Sequence, residues 1–243
     1  MKSILYIGHG TRSQKGSEEV RNFIQRVMGK INIPIQEISF LELTQPLIEE
    51  GFEKCVSRGA TQITVIPLFL LAAGHIKKDI PQTIASLQAK YPDVVVEVKE
   101  PFGVQEALFD VMAELVSDAA GDIVSRDQLL IVGRGSSDPS IHVDFMNIAN
   151  GIKKRLGMEH VSVCYLAAAD PMFRERLEEI INIADGKIIV LPYLLFSGLL
   201  LAEVNQRVLQ WKKRGKNIFH TGPLSNHELM EEIVVARATG RVK

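Results

Sequence analysis

Shifting this 243-residue sequence by 125 positions superimposes it on itself at three separated places, with no gap between them. Ile4-Leu5-Tyr6-Ile7-Gly8-His9-Gly10 falls on Leu129-Leu130-Ile131-Val132-Gly133-Arg134-Gly135, and Phe40 to Pro46 falls on Tyr165 to Pro171. Ile63 to Leu70 falls on Ile188 to Leu195. A single offset held across such a span means an internal duplication, and a duplicated chain must fold as two similar units. The repeat divides the sequence into residues 1–120 and 121–243, joined near Ala119 to Asp127, where Gly, Asp and Ser cluster.

Within each half, continuous apolar runs rich in β-branched residues alternate with segments of helical period. That alternation is the signature of a parallel sheet buried by crossover helices. The first half predicts strands at Ser3–Ile7, Ile35–Phe40, Gln62–Pro67 and Val94–Val98, and helices at Ser17–Gly29, Pro46–Arg58 and Ile80–Lys90. The prolines near the last two helix starts suit a first helical turn. The second half repeats the order with strands at Leu129–Val132, Ser162–Leu166 and Lys187–Leu191. The expected fold is α/β: two similar doubly wound lobes with central parallel sheets, facing one another across a cleft at the carboxyl ends of their strands.

Composition narrows the function classes. Lys and Arg number 28 against 29 Asp and Glu, for a net charge of −1, which argues against nucleic acid as a main partner. Cys55 and Cys164 make neither a disulfide framework nor a Cys-x-x-Cys metal pair, so a reducing, cytoplasmic setting is expected. The apolar run at Ile4–Ile7 is too short for a secretory signal. The stretch Ile188–Ala202 is interrupted by Pro192, Ser197 and Gly198 and falls short of the roughly 20 residues a bilayer span needs, so no membrane partner is expected. Gly8-His9-Gly10 lacks the third glycine of a dinucleotide fingerprint, and neither a Walker loop nor a Gly-x-Ser-x-Gly elbow occurs.

In open α/β sheets, ligands bind beyond the carboxyl ends of the strands. In the first half three metal-capable residues occupy such positions: His9 after the first strand, Glu42 at the end of the second and His75 after the third. A lone histidine there is ordinarily a hydrogen-bonding or capping group. The repeat argues otherwise, because the equivalent positions in the second half are Arg134, Ala167 and Leu200, while the glycines and prolines around them persist. Three side chains lost together from one copy act as one unit. Two imidazoles and a carboxylate suit a divalent first-row metal with positions left open. Arg134, flanked by glycines and followed by Ser136 and Ser137, makes a cradle for carboxylate or phosphate. Arg12, Lys77 and Lys78 add positive charge in the first half, although solvated surface is the ordinary role of such residues. Leu194 to Leu200, with Phe196, Ser197 and Gly198, offer an apolar wall for a flat ring system, or simply core. His142, His160, His220 and His227 lie in surface-like contexts and receive no role.

Gly8-His9-Gly10-Thr11-Arg12, Ser39 to Leu43, Pro67 to Pro81 and Gly133 to Pro139 together resemble the class II tetrapyrrole chelatases of the CbiX/SirB type. The resemblance covers essentially the whole chain, duplication included, and implies the chelatase-like fold. It implies insertion of Fe²⁺ into sirohydrochlorin to give siroheme, with release of two protons. By motif position His9, Glu42 and His75 become the metal ligands, and His9 and His75 the candidate proton acceptors. Arg12, Lys77, Lys78, Arg134, Ser136, Ser137, Phe196, Ser197 and Gly198 become the substrate-binding set, since the macrocycle is a polycarboxylate. Residues 1–120 would then carry the metal and 121–243 clamp the substrate. No permanently bound cofactor is expected, the metal being substrate, and the chain is expected to be a monomer or weak dimer. The sequence carries no His-rich or Cys-rich extension like that of some cobalt-inserting relatives. Cobalt or nickel insertion, a non-catalytic metal or tetrapyrrole carrier, and a metal-dependent hydrolase are the alternatives; no second carboxylate cluster supports the last.

Overall fold

Four consecutive apolar residues, Ile4 to Ile7, have no solvent exposure at all, which a strand achieves only when both faces of its sheet are covered. The computed structural model describes residues 1–240, and the side chains of all these except His75 and Ile76. The first half runs β1 (Lys2–Gly8), α1 (Gln14–Gly29), β2 (Ile35–Phe40), α2 (Ile48–Ser57) and β3 (Gln62–Pro67). A π-helical turn, His75–Asp79, then leads into α3 (Ile80–Lys90), followed by β4 (Val95–Val98). Next come α4 (Glu106–Ala120), β5 (Gln128–Gly133), α5 (Pro139–Leu156), β6 (His160–Tyr165), α6 (Phe173–Ile183) and β7 (Ile188–Pro192). The chain ends with α7 (Leu199–Lys213), β8 (Ile218–His220), a 3₁₀ turn (Leu224–Asn226) and α8 (Glu228–Thr239).

The strands form two four-stranded parallel sheets, ordered β2-β1-β3-β4 and β6-β5-β7-β8. In each, the chain steps from the first strand to the second, then jumps back over the first to the third. The point where that direction reverses, between β1 and β3 or β5 and β7, is where a doubly wound sheet opens a ligand crevice. Residues of β1 alternate between faces. Leu5 and Ile7 join Ile48, Phe52 and Cys55 of α2 and Ile80, Ile84 and Leu87 of α3 in one buried cluster. Leu130 and Val132 do the same with Phe173, Leu177, Ile180 and Ile181 of α6 and Val204 and Val208 of α7. Local signals fix the helix starts: Ser13 caps α1 by accepting from the Gly16 N–H at 3.2 Å, and Asp138 caps α5 ahead of Pro139. Of the two expected proline starts, Pro81 does fall in the first turn of α3, whereas α2 begins at Ile48, two residues beyond Pro46. Among the described residues no helix is long and apolar enough to cross a membrane.

The repeat boundary at 120/121 does not coincide with the boundary of the compact units. One unit comprises Met1–Gly103 and the chain from Glu231 onward; the other is Val104–Met230. Each half therefore gives up its final helix: α4 follows β4 in sequence but belongs to the second unit, and most of α8 belongs to the first. Ala119–Asp127, the stretch that joins the two repeats, lies inside the second unit. The 1 % exposed Asp127 accepts there from the Val124 and Lys187 N–H groups at 3.0 and 2.8 Å.

The returning helix is held to α1 by a carboxylate. Glu231, 7 % exposed, takes Arg26 at 2.6 Å and Lys30 at 2.8 Å. Burial alone would raise its pKa, but the hydrogen bonds and charges of Lys30 and Arg26 outweigh that and hold it below the usual 4.5. A carboxyl whose folded pKa is depressed contributes stability above its unfolded value and loses it as pH falls through the folded one. Urea unfolding from pH 6 down to pH 3 should therefore show a steeper loss of stability in the wild type than in Glu231→Gln, and parallel pH profiles would remove Glu231 from this role.

Candidate functional site

The loops at the carboxyl ends of β1 and β2 are brought together by a glycine. Gly10 has φ +93°, and a Cβ added there would overlap the carbonyl oxygen of Glu42, so the His9 loop touches the Glu42 loop as only glycine permits. The contact is stitched by backbone bonds from Leu41 N–H to Gly8 O (2.9 Å) and from Glu42 N–H to His9 O (3.1 Å). Thr44 adds a reciprocal pair, its hydroxyl accepting from the Thr11 N–H at 3.0 Å and donating to the Thr11 carbonyl at 2.9 Å. Leu43, between them, is held in the left-handed region at φ +61°.

The outcome is a histidine beside a carboxylate. His9 Nδ1 lies 3.7 Å from Glu42 Oε1, with side-chain exposures of 28 % and 47 %, so both reach solvent. The same nitrogen is 3.3 Å from the Gly10 carbonyl, and the imidazole rests against the Phe69 ring at 6.0 Å. Glu42 stands two residues past the end of β2 rather than closing it. The third expected member, His75, opens the π-helical turn after β3, but its side chain lies outside the described residues. No group of three His, Cys, Asp or Glu side chains poised to share an ion occurs among the described residues. Their contribution is the His9–Glu42 pair at the carboxyl ends of β1 and β2. Cys55 and Cys164 play no part: burial pushes their thiols up to about 11 and about 12, so neither offers a thiolate near neutrality.

The second unit reproduces the backbone device without the donors. Gly135 also has φ +93°, a Cβ there would overlap the Ala167 carbonyl oxygen, and Ala168 sits at φ +56°. Leu166 and Ala167 donate to Gly133 and Arg134 as their counterparts do in the first unit.

The residues expected to bind substrate fall in both units. Arg12, Lys77 and Lys78 are exposed in the first, with Lys77 and Lys78 in the π-helical turn after β3. Arg134 and Ser137 are exposed after β5, whereas Ser136 turns inward to accept from the Asp138 N–H at 3.1 Å. Phe196, Ser197 and Gly198 are half-buried between β7 and α7. Two histidines read as surface residues prove to be anchored: His227, 11 % exposed, meets Glu114 at 2.7 Å, and His142 meets the Tyr165 hydroxyl at 3.3 Å. Sequence reasoning missed the Thr11–Thr44 stitch and the Phe69 contact. The repeat carried the signal, for Thr11, Thr44 and Phe69 align with Ser136, Ala169 and Leu194.

With this geometry in place, similarity to known proteins is specific. The CbiX family matches residues 3–119 and again 128–240. This chain belongs to the CbiX family. The relatives include the sirohydrochlorin ferrochelatase of Priestia megaterium, 39 % identical over 96 % of this chain and 88 % of that protein. The sirohydrochlorin cobaltochelatase of the same organism is 30 % identical over 98 % and 79 %. The solved structure of SirB from Bacillus subtilis with Fe³⁺ superimposes with a TM-score of 0.88 at 35 % identity, covering 98 % of this chain and 94 % of that one. Family membership accounts for the duplication, since the CbiX match occurs once per repeat.

The two glycines give a direct test. Gly10→Ala and Gly135→Ala should each lower unfolding stability by roughly 2 kcal/mol or more through positive φ and a backbone overlap. Gly29→Ala, with open space around it at the end of α1, should cost almost nothing. Equal urea midpoints for all three would refute the close-approach argument.

Proposed function

We propose that this chain is a sirohydrochlorin ferrochelatase, a lyase-class enzyme that inserts Fe²⁺ into sirohydrochlorin to give siroheme and two protons. The observation that carries the reading is the His9–Glu42 pair, at the carboxyl ends of the neighbouring strands β1 and β2 in one copy of a duplicated scaffold and absent from the other. The names of the relatives point the same way.

Insertion asks for three things: a cation partly stripped of water, a ring held with its inner nitrogens toward it, and acceptors for the two pyrrole protons. His9, Glu42 and His75 are assigned to the cation, because imidazole and carboxylate hold Fe²⁺ while leaving exchangeable positions. A substrate metal must be held weakly enough to leave, and the exposure of both described donors suits transfer rather than storage. As the metal passes to the ring, the pyrrole nitrogens lose two protons, one taken up by His9 or His75, an imidazole being matched to proton transfer near neutral pH, and the other passing to solvent. Arg12, Lys77, Lys78 and Arg134 are assigned to the carboxylates on the ring's edge, with Ser136 and Ser137 as hydrogen-bond donors. Phe196, Ser197 and Gly198 are assigned to its apolar face. The first repeat thus handles the metal and shares the ring's carboxylates, through Arg12, Lys77 and Lys78, with the second repeat, which alone supplies the apolar face. Cobalt is the second reading, favoured by the 30 % identity to a cobaltochelatase and by a donor set that accepts Co²⁺ as readily.

Anaerobic absorbance after mixing protein with sirohydrochlorin and Fe²⁺, Co²⁺ or Ni²⁺ in turn tests the assignment. His9→Ala, His75→Ala and Glu42→Gln should reduce insertion to the spontaneous rate without altering the circular dichroism. Arg134→Ala should raise KM for sirohydrochlorin with kcat nearly kept. Near-wild-type rates in the first three variants would overturn the metal assignment, and faster Co²⁺ than Fe²⁺ insertion under competition would favour the second reading.

A further inference from the structure

We propose that Arg237, on the last helix of the chain, is a positioning residue for the metal site of the first unit, an inference that rests on the metal assignment above. The relevant segment is Glu100–Gly103, which follows β4 as a strap without regular structure. From α8, the Arg237 guanidinium spreads its two terminal nitrogens over this strap, Nη1 donating to the Glu100 carbonyl at 2.6 Å and Nη2 to the Phe102 carbonyl at 2.8 Å. It also lies 5.5 Å from the centre of the Phe102 ring, which is 3 % exposed. On its other side the strap holds the loop after β3. Phe102 N–H donates to Phe69 O at 2.9 Å, and Gly103 N–H to Leu70 O at 2.8 Å. That loop supplies the Phe69 ring against which His9 rests, and its backbone runs on into the turn that begins at His75.

A continuous chain of contacts therefore runs from α8 through the strap to the loop linking two of the three assigned ligands. Both strap carbonyls need a donor at once, and a planar guanidinium delivers two N–H groups in a fixed fork where an ammonium delivers a point charge. The duplication supplies an internal control. In the second unit the strap bonds recur, Leu224 N–H to Leu194 O at 2.9 Å and Ser225 N–H to Leu195 O at 3.0 Å. Aligning Phe102 with Leu224 and Gly103 with Ser225 places Leu115 of α4 at the position of Arg237, and Leu115 has no such donors. The strap is common to both units; among the described residues, the fork upon it is found in the unit that carries His9 and Glu42.

The test uses the full chain with Co²⁺ as the probe, bound without tetrapyrrole and followed by its visible absorption, alongside steady-state iron insertion. Arg237→Met should weaken Co²⁺ binding and raise KM for the metal by roughly tenfold, with KM for sirohydrochlorin within about twofold of wild type. Arg237→Lys, which keeps the charge and loses the fork, should recover the thermal midpoint but only part of the metal affinity. Glu231→Gln separates positioning from mere loosening of α8, since it releases the helix from α1 and leaves the strap alone; it should lower the midpoint and leave Co²⁺ affinity unchanged. Should Arg237→Met prove insoluble, the Lys variant decides. Wild-type Co²⁺ affinity in both Arg237 variants, or an equal loss in Glu231→Gln, would overturn the proposal. Failure of the wild type to bind Co²⁺ or to insert iron would instead sink the functional reading on which it rests.

Discussion

Everything at the site follows from how closely two loops approach. A backbone carbonyl, that of Glu42, occupies the place where any residue but glycine would put its Cβ at position 10. That single absence lets the turn after β1 lie on the turn after β2, and the Thr11–Thr44 bonds then lock the pair. The His9 imidazole and the Glu42 carboxylate become neighbours as a by-product of backbone packing, without having to attract one another. Because both remain partly exposed, their mutual attraction is screened and contributes little to stability. The site is thus held together by backbone geometry, and its side chains stay available to exchange partners.

Duplication separates what serves the fold from what serves chemistry. Gly10 and Gly135 share a torsion and a clash-free contact, Leu43 and Ala168 share a left-handed turn, and the same backbone bonds join the loops in both units. Against that constant frame the substitutions stand out: histidine for arginine, glutamate for alanine, threonine for alanine, and on the final helices arginine for leucine. In the second unit the same loop displays the exposed Arg134. Its neighbouring core also diverges, with the Phe145 ring filling the space beside Gly133 and stacking edge-on to Tyr165 and Tyr193.

Much of this was legible in the sequence because it is local or periodic. Strand runs such as Ile35–Phe40 and Gln62–Pro67 match the structure residue for residue, since β-branched and apolar residues recur along each at the spacing of a strand. His9, Glu42 and Arg134 were found by comparing the repeats. What escaped was non-local. Nothing in the composition of Glu228–Thr239 says that it packs against α1, because Glu231 and Arg237 acquire meaning only from Arg26, Lys30 and two strap carbonyls far away in sequence. The start of α2 slipped past Pro46 because its first turn is set by Glu50, whose carboxylate takes the Leu47 N–H at 2.7 Å, and not by the proline. His227 looked like surface until Glu114 of α4 reached it.

The exchange of final helices has a bearing on biosynthesis. His9, Glu42 and His75 lie in the Met1–Gly103 part of the first unit, yet the helix that supplies Glu231 and Arg237 to that unit is synthesised only after the whole of Val104–Met230. A nascent Met1–Gly103 stretch therefore lacks the Glu231 bonds to Arg26 and Lys30, and the Arg237 fork on the strap, until that helix has been made. The Val104–Met230 stretch, being continuous, can mature while the earlier sequence waits. Order of synthesis therefore differs from order of completion in this molecule: the loops that bring His9 and Glu42 together are made early, and the guanidinium that grips the strap behind them is made late.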